Sequence, residues 1–220
     1  MNRREFFGLS LVPLATPALA QSSSRAAAPI SRQASAGMLP NVPLYTHNNK
    51  PVKFYDDLVR GKTVLIHFFL IQCADGRCPV AMANLKKAQE LLGERMGKDV
   101  FFISITLQPL FDTPQNLKNY AEIFDPKPGW DLVTGSPADI ELLRKTLGFV
   151  DSDPEVDKDL TNHTGMARYG SDKFERWGMV SLRSSPNNIV SSFKSLKLNC
   201  AGLSADISFK SAISPPILST

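Results

Sequence analysis

Cys73 and Cys78 are the residues best suited to chemistry in this chain. They stand in Ile71-Gln-Cys-Ala-Asp-Gly-Arg-Cys-Pro79, directly after the apolar run Thr63-Val-Leu-Ile-His-Phe-Phe69. The run reads as a buried β-strand. Pro79 suits the first turn of a following helix, where its missing N–H costs nothing. Two thiols on a strand-to-helix turn suit dithiol redox chemistry or a soft-metal site, because a helix N-terminus and Arg77 both favour the thiolate. His163, 85 residues beyond Cys78, is a third candidate. A purely structural disulfide is the plainer reading, but closing so short a loop removes little denatured-state entropy.

The chain that must position these groups has 220 residues, 43% hydrophobic and 21% charged, which fits one domain with appendages. Its net charge is only +4, and no Lys/Arg run is interleaved with aromatics, so nucleic-acid binding is not expected. Asn2-Arg-Arg-Glu-Phe-Phe-Gly8, an apolar stretch to Leu19 and Ala18-Leu-Ala20 together form a twin-arginine-type signal peptide over residues 1–20. The apolar stretch is too short and too proline-broken to span a bilayer, which needs about 20 residues. The alternative is an uncleaved N-terminal anchor. No cysteine adjoins the cleavage site, which argues against a lipid anchor. The expected destination is the periplasm, where disulfides form.

Residues 21–38 are Ser/Ala-rich and read as a flexible linker. The folded unit is expected over 39–193. Val42–Tyr45 and Pro51–Phe54 flank a turn as a hairpin, with His47 a solvated turn residue. Thr63–Phe69 is a central strand, and His67 a satisfied sheet residue. Met82, Leu85, Leu92 and Met96 space one amphipathic helix. Val100–Leu107 is a second buried strand, and Asp131–Thr134 a short third one. Asp112-Thr-Pro-Gln115 and Ser136-Pro-Ala-Asp139 are helix starts, with Asp112 and Ser136 as caps. An acidic loop follows over Asp151–Asp159. A second hairpin flanks Gly170–Lys173, and Ser185-Pro186 opens a last helix through Phe193. The order βαβαβα argues for an α/β sheet with a large parallel component. Residues 194–220, carrying the odd third cysteine Cys200, read as a disordered tail.

The ordered set of Gly61-Lys-Thr-Val-Leu-Ile-His-Phe68, a cysteine pair ending in Cys-Pro, Phe102-Ile-Ser-Ile105, Asp112-Thr-Pro114, Leu132-Val-Thr-Gly-Ser-Pro137 and a lone histidine before the final hairpin resembles the SCO/SenC family. The resemblance implies a thioredoxin-like fold, a central mixed sheet flanked by helices, with an N-terminal and a C-terminal hairpin. It implies copper, as Cu(I) or Cu(II), with Cys73, Cys78 and His163 as ligands. Met82 and Met166 are conceivable further ligands but read as core methionines. The implied role is a metallochaperone or redox partner in assembly of a copper enzyme such as cytochrome c oxidase. Its partners would be a copper-receiving protein, such as an oxidase subunit, and a thiol reductant, with membrane contact only through the partner. A thiol-disulfide oxidoreductase or redox sensor using Cys73 and Cys78 without metal is the alternative. A thiol peroxidase is disfavoured, because Leu70 stands where that chemistry wants a hydroxyl.

The chain departs from the family in one place that matters. Four residues separate the cysteines where three are usual, and Ala74 replaces a proline. On a regular helix, positions i and i+5 lie about 9 Å apart, beyond the roughly 7 Å that a disulfide spans. Residues 74–77 are therefore expected to form a non-helical loop turning at Asp75-Gly76, with helix from Cys78 or Pro79, and His163 facing the pair.

Overall fold

The computed structural model describes residues 39–73 and 75–196. Three strands form the parallel centre: β3 (Thr63–Phe69), β4 (Val100–Thr106) and β5 (Trp130–Gly135). Helices α1 (Arg77–Leu92) and α2 (Pro114–Phe124) make the crossovers between them. Because helices cover the sheet, β3 is buried along nearly its whole length and reads as a continuous apolar run rather than an alternating one. It pairs in parallel with β4 from Thr63↔Val100 to Phe69↔Thr106.

Antiparallel hairpins flank this centre. One is β1 (Pro43–Thr46) with β2 (Pro51–Lys53), the other β6 (Met166–Ser171) with β7 (Arg176–Ser181). β1 borders β5 and β6 borders β3, so the seven strands run β2-β1-β5-β4-β3-β6-β7. Helix α3 (Pro137–Thr146) follows β5, the short α4 (Pro154–Asp157) lies in the acidic loop, and α5 (Pro186–Ser195) packs against α1. The mixed sheet and both hairpins agree with expectation, except that Gly170 and Ser171 belong to β6, so the second hairpin turns over 172–175 rather than Gly170–Lys173. Among the described residues no helix is long and apolar enough to cross a membrane.

Four local expectations need correcting. Helix α1 stops at Leu92, because Gly93 takes a positive φ of 51° and a 3₁₀ turn, Gly93–Arg95, follows. Met96 is buried, but beyond the helix. The cap of α2 is Thr113, whose side chain accepts from the Asn116 N–H, and Asp112 turns inward instead. Ser136 does cap α3, accepting from the Asp139 N–H at 3.1 Å. His47 is buried rather than solvated: its Nδ1 accepts from the Leu132 N–H and its own N–H donates to the Leu132 carbonyl, tying β1 to β5. Helix α5 continues to Ser195 and Leu196 joins the core. The signal-peptide, linker and Cys200 expectations lie outside the described residues.

Candidate metal centre

The dithiol is built by one turn. Gly76 N–H donates to the Cys73 carbonyl at 3.2 Å, and Gly76 takes φ 72°, a left-handed conformation that suits glycine. Helix α1 therefore starts at Arg77, one residue earlier than expected, with Gly76 as its N-cap. The turn brings the Cys78 N–H to 3.3 Å from Cys73 Sγ. Both cysteines are free thiols.

Their environments differ. Cys78 is 1% exposed, with Leu70 N–H donating to its sulfur at 3.4 Å. Burial, then the hydrogen bond with Cys73, pushes the Cys78 thiol up to about 12. Cys73 is half-buried and donates to Asp75 Oδ1 at 3.0 Å. The expected help from Arg77 does not reach the sulfurs as a free charge, because its guanidinium pairs with Asp75 Oδ2 at 2.9 Å. The Cys73 hydrogen bond and the neighbouring Arg77 N–H hold the Asp75 carboxyl below its ordinary value.

His163 ends a 3₁₀ turn, Leu160–His163, and is 5% exposed. Thr164 follows it, bridging to Phe68 at the end of β3, with its hydroxyl donating to the Thr161 carbonyl at 2.8 Å and lying beside Cys78. The segment thus meets the dithiol through Thr164, while the imidazole is engaged elsewhere. Its Nε2 lies 2.9 Å from the Asp157 carbonyl and 3.1 Å from Arg144 Nη1. Arg144 Nη1 already spends its two hydrogens on the Phe149 carbonyl at 2.7 Å and Asp157 Oδ1 at 2.8 Å. The hydrogen-bond network thus assigns the Nε2 proton to the Asp157 carbonyl and leaves the lone pair on Nδ1, which has no hydrogen-bond partner among the described residues. That is the arrangement in which an outer carbonyl orients a ligating histidine.

The sequence reading missed Arg144. It is buried at the end of α3, forked to Glu141 at 2.8 Å through Nε and Nη2, and paired with both carboxylate oxygens of Asp157. These bonds hold the Asp157 carboxyl well below the usual carboxylate range. A lone Arg on the apolar side of α3 was the only sequence signal. Asp112, expected as a helix cap, is 3% exposed and accepts from Thr106 Oγ1 and from the Ile71 N–H instead, tying the β4 end to the cysteine segment. Beside it an apolar cleft of about 420 Å³ opens between Ile71, Phe111, Tyr120 and Ile123.

Of the expected ligands, then, the structure joins Cys73 with Cys78 and brings Thr164, not the His163 ring, against them. Among the described residues no three His, Cys, Asp or Glu side chains already form a compact metal group. The remaining histidines serve the sheet: His67 Nε2 lies 2.7 Å from Ser104 Oγ. Met82 is a fully buried core residue as expected, whereas Met166 is exposed.

A parallel β–α core with two thiols at the β3–α1 turn defines a thioredoxin-like dithiol protein. The SCO1/SenC family model matches residues 41–195, and the chain belongs to that family. A SCO1/SenC family lipoprotein from Bacillus anthracis is 26% identical with a TM-score of 0.58, covering 72% of this chain and 94% of that one. Bradyrhizobium japonicum ScoI, solved with copper bound, is 26% identical with a TM-score of 0.56, covering 71% and 99%. Protein sco1 of Schizosaccharomyces pombe is 32% identical over 114 residues, half of this chain and 42% of that relative, so the match spans less than half its length.

Proposed function

We propose that this protein is an exported copper-binding thiol protein, a metallochaperone or redox partner in assembly of a copper enzyme such as cytochrome c oxidase. The observation that carries the reading is the turn that sets the Cys78 N–H on Cys73 Sγ, with the residue after His163 against Cys78. Two thiolates and an imidazole with a free Nδ1 suit Cu(I), and can hold Cu(II). Zn²⁺ in a closed site wants a fourth protein ligand. Copper would be held by Cys73, Cys78 and His163, with the Leu160–His163 turn closing on the pair. Binding displaces thiol protons, since the ligand is the thiolate. The copper-bound B. japonicum relative supports the cargo.

The test is stoichiometry. The reduced protein should take up one copper, His163→Ala should weaken Cu(II) more than Cu(I), and Cys73→Ser/Cys78→Ser should lose tight binding. Unchanged copper affinity in the double variant overturns the assignment. A redox role has its own support: half-exposed Cys73 above buried Cys78 is the order of an attacking and a resolving thiol. Turnover of a disulfide substrate without metal would favour it. For export, replacing Arg3 and Arg4 by Lys should leave precursor in the cytoplasm; unchanged periplasmic protein refutes the twin-arginine route.

A further inference from the structure

We infer that Met166, Met179 and His163 form an outer Cu(I) site of thioether–imidazole type, separate from the dithiol. The inference rests on the copper reading only for the choice of cation and for the sharing of His163. Met166 opens β6 and Met179 lies in β7, and they are 39% and 46% exposed. Neither thioether is spent on the core. The hairpin pairs Met166↔Ser181 and Arg168↔Met179, so the two methionines are diagonal neighbours on one face. Such positions have Cα atoms about 7–8 Å apart, within reach of two long flexible side chains. Both line one cleft of about 150 Å³ together with His163, Phe149 and Asp151.

The chemistry of this set is selective. Two thioethers and a neutral imidazole are soft, uncharged donors, which suit Cu(I) and suit Zn²⁺ or Cu(II) poorly. The Nε2 proton of His163 is held by the Asp157 carbonyl, so Nδ1 is the available donor. Asp151 adds a carboxylate to balance the cation; its Oδ1 accepts the Asp153 N–H at 2.9 Å. Arg168, the cation opposite Met179, does not itself line the cleft: its Nη1 is held beside Gly148 by the Leu147 carbonyl at 2.9 Å and its guanidinium lies over Trp177. Arg144, behind the histidine, is neutralised by Glu141 and Asp157. Sharing His163 makes this a waiting position, from which Cu(I) passes to the two sulfurs by ligand exchange with no electron transferred.

The experiment titrates Cu(I), supplied anaerobically as its acetonitrile complex, into the full-length Cys73→Ser/Cys78→Ser protein against a chromophoric chelator. One equivalent should bind, more weakly than to the intact dithiol. Adding Met166→Leu/Met179→Leu should abolish it. These swaps conserve volume at exposed sites, so the fold should survive. The same two swaps in the cysteine-intact protein should leave its tight, thiolate-bound equivalent in place. As a second readout, bound Ag(I) should protect Met166 and Met179 from peroxide oxidation, followed by peptide mass. No Cu(I) binding without the cysteines, binding indifferent to the methionines, or no Ag(I) protection would each overturn the outer site. Failure of the copper reading itself looks different: the cysteine-intact protein would show no thiolate-to-copper absorption.

Discussion

Burial sorts the chemistry-bearing residues more finely than their type does. Cys78 sits under Leu70 and its thiol is pushed up to about 12, whereas Cys73 reaches solvent. Iodoacetamide at neutral pH should therefore label Cys73 and spare Cys78, as peptide mapping would read; equal labelling would mean that the Cys73–Gly76 turn opens. His67 shows burial acting through a proton. Trp130 Nε1 donates to Ser104 Oγ at 2.9 Å, the Ser104 hydroxyl faces His67 Nε2, and His67 Nδ1 faces the Phe68 carbonyl. This chain needs a neutral ring, and burial lowers His67 to about 4. The unfolded chain protonates near the ordinary 6.5. The unfolded state thus binds the extra proton, and stability present above about pH 6.5 is lost as pH falls towards 4. The loss approaches about 3 kcal/mol. Urea unfolding at pH 7.5 and 4.5 should show it, and His67→Asn should flatten the difference.

At the scale of elements, the acidic loop is a structured clamp. Asp153 caps α4 by accepting from the Glu155 N–H, Asp159 caps the Leu160–His163 turn, and Asp157 grips Arg144. The whole segment is hung from one buried guanidinium on α3. Arg144→Met should leave Glu141, Asp157 and the Phe149 carbonyl without their donor and lower the denaturation midpoint, read by chemical denaturation. Arg144→Lys should recover only part of this, because a point charge cannot make the two forked pairs. Both variants should weaken Cu(II) binding through loss of the His163 orientation, while Cu(I), which the two proposed thiolate ligands would hold, should change less. A wild-type denaturation midpoint in Arg144→Met would refute the clamp.

For the whole molecule, the parallel centre places the dithiol at the carboxyl end of β3, where the crossover to α1 opens the sheet to ligands. The two antiparallel hairpins extend the sheet on either side, and the second one carries the exposed Met166 and Met179. Leu196, just after α5, is the last described residue and belongs to the core. Cys200, outside the described residues, is expected to be dispensable: Cys200→Ser should leave copper stoichiometry and the thermal midpoint unchanged within error. A disulfide from Cys200 to Cys73 or Cys78 would overturn this.

Wherever a residue's role follows from its near neighbours, the amino-acid order alone determined it. The apolar runs of β3 and β4, the Ser136-Pro137 and Ser185-Pro186 helix starts, and the Asp75-Gly76 turn were all legible, because burial periodicity, a fixed proline φ and a glycine's left-handed freedom act within a few residues. Asp112 and His47 were misread because their local patterns fit a cap and a turn, and only long-range packing against Thr106, Ile71 and Leu132 turned them inward. Arg144 gave only a weak local sign, a cation on the apolar side of α3 with Glu141 one turn before it, because its second partner, Asp157, lies across a loop. The direction of the His163 ring and the placing of Met166 and Met179 along one cleft were likewise decided by tertiary structure. Strand register and side-chain hydrogen bonding join residues far apart in the chain, and no local pattern encodes those partners.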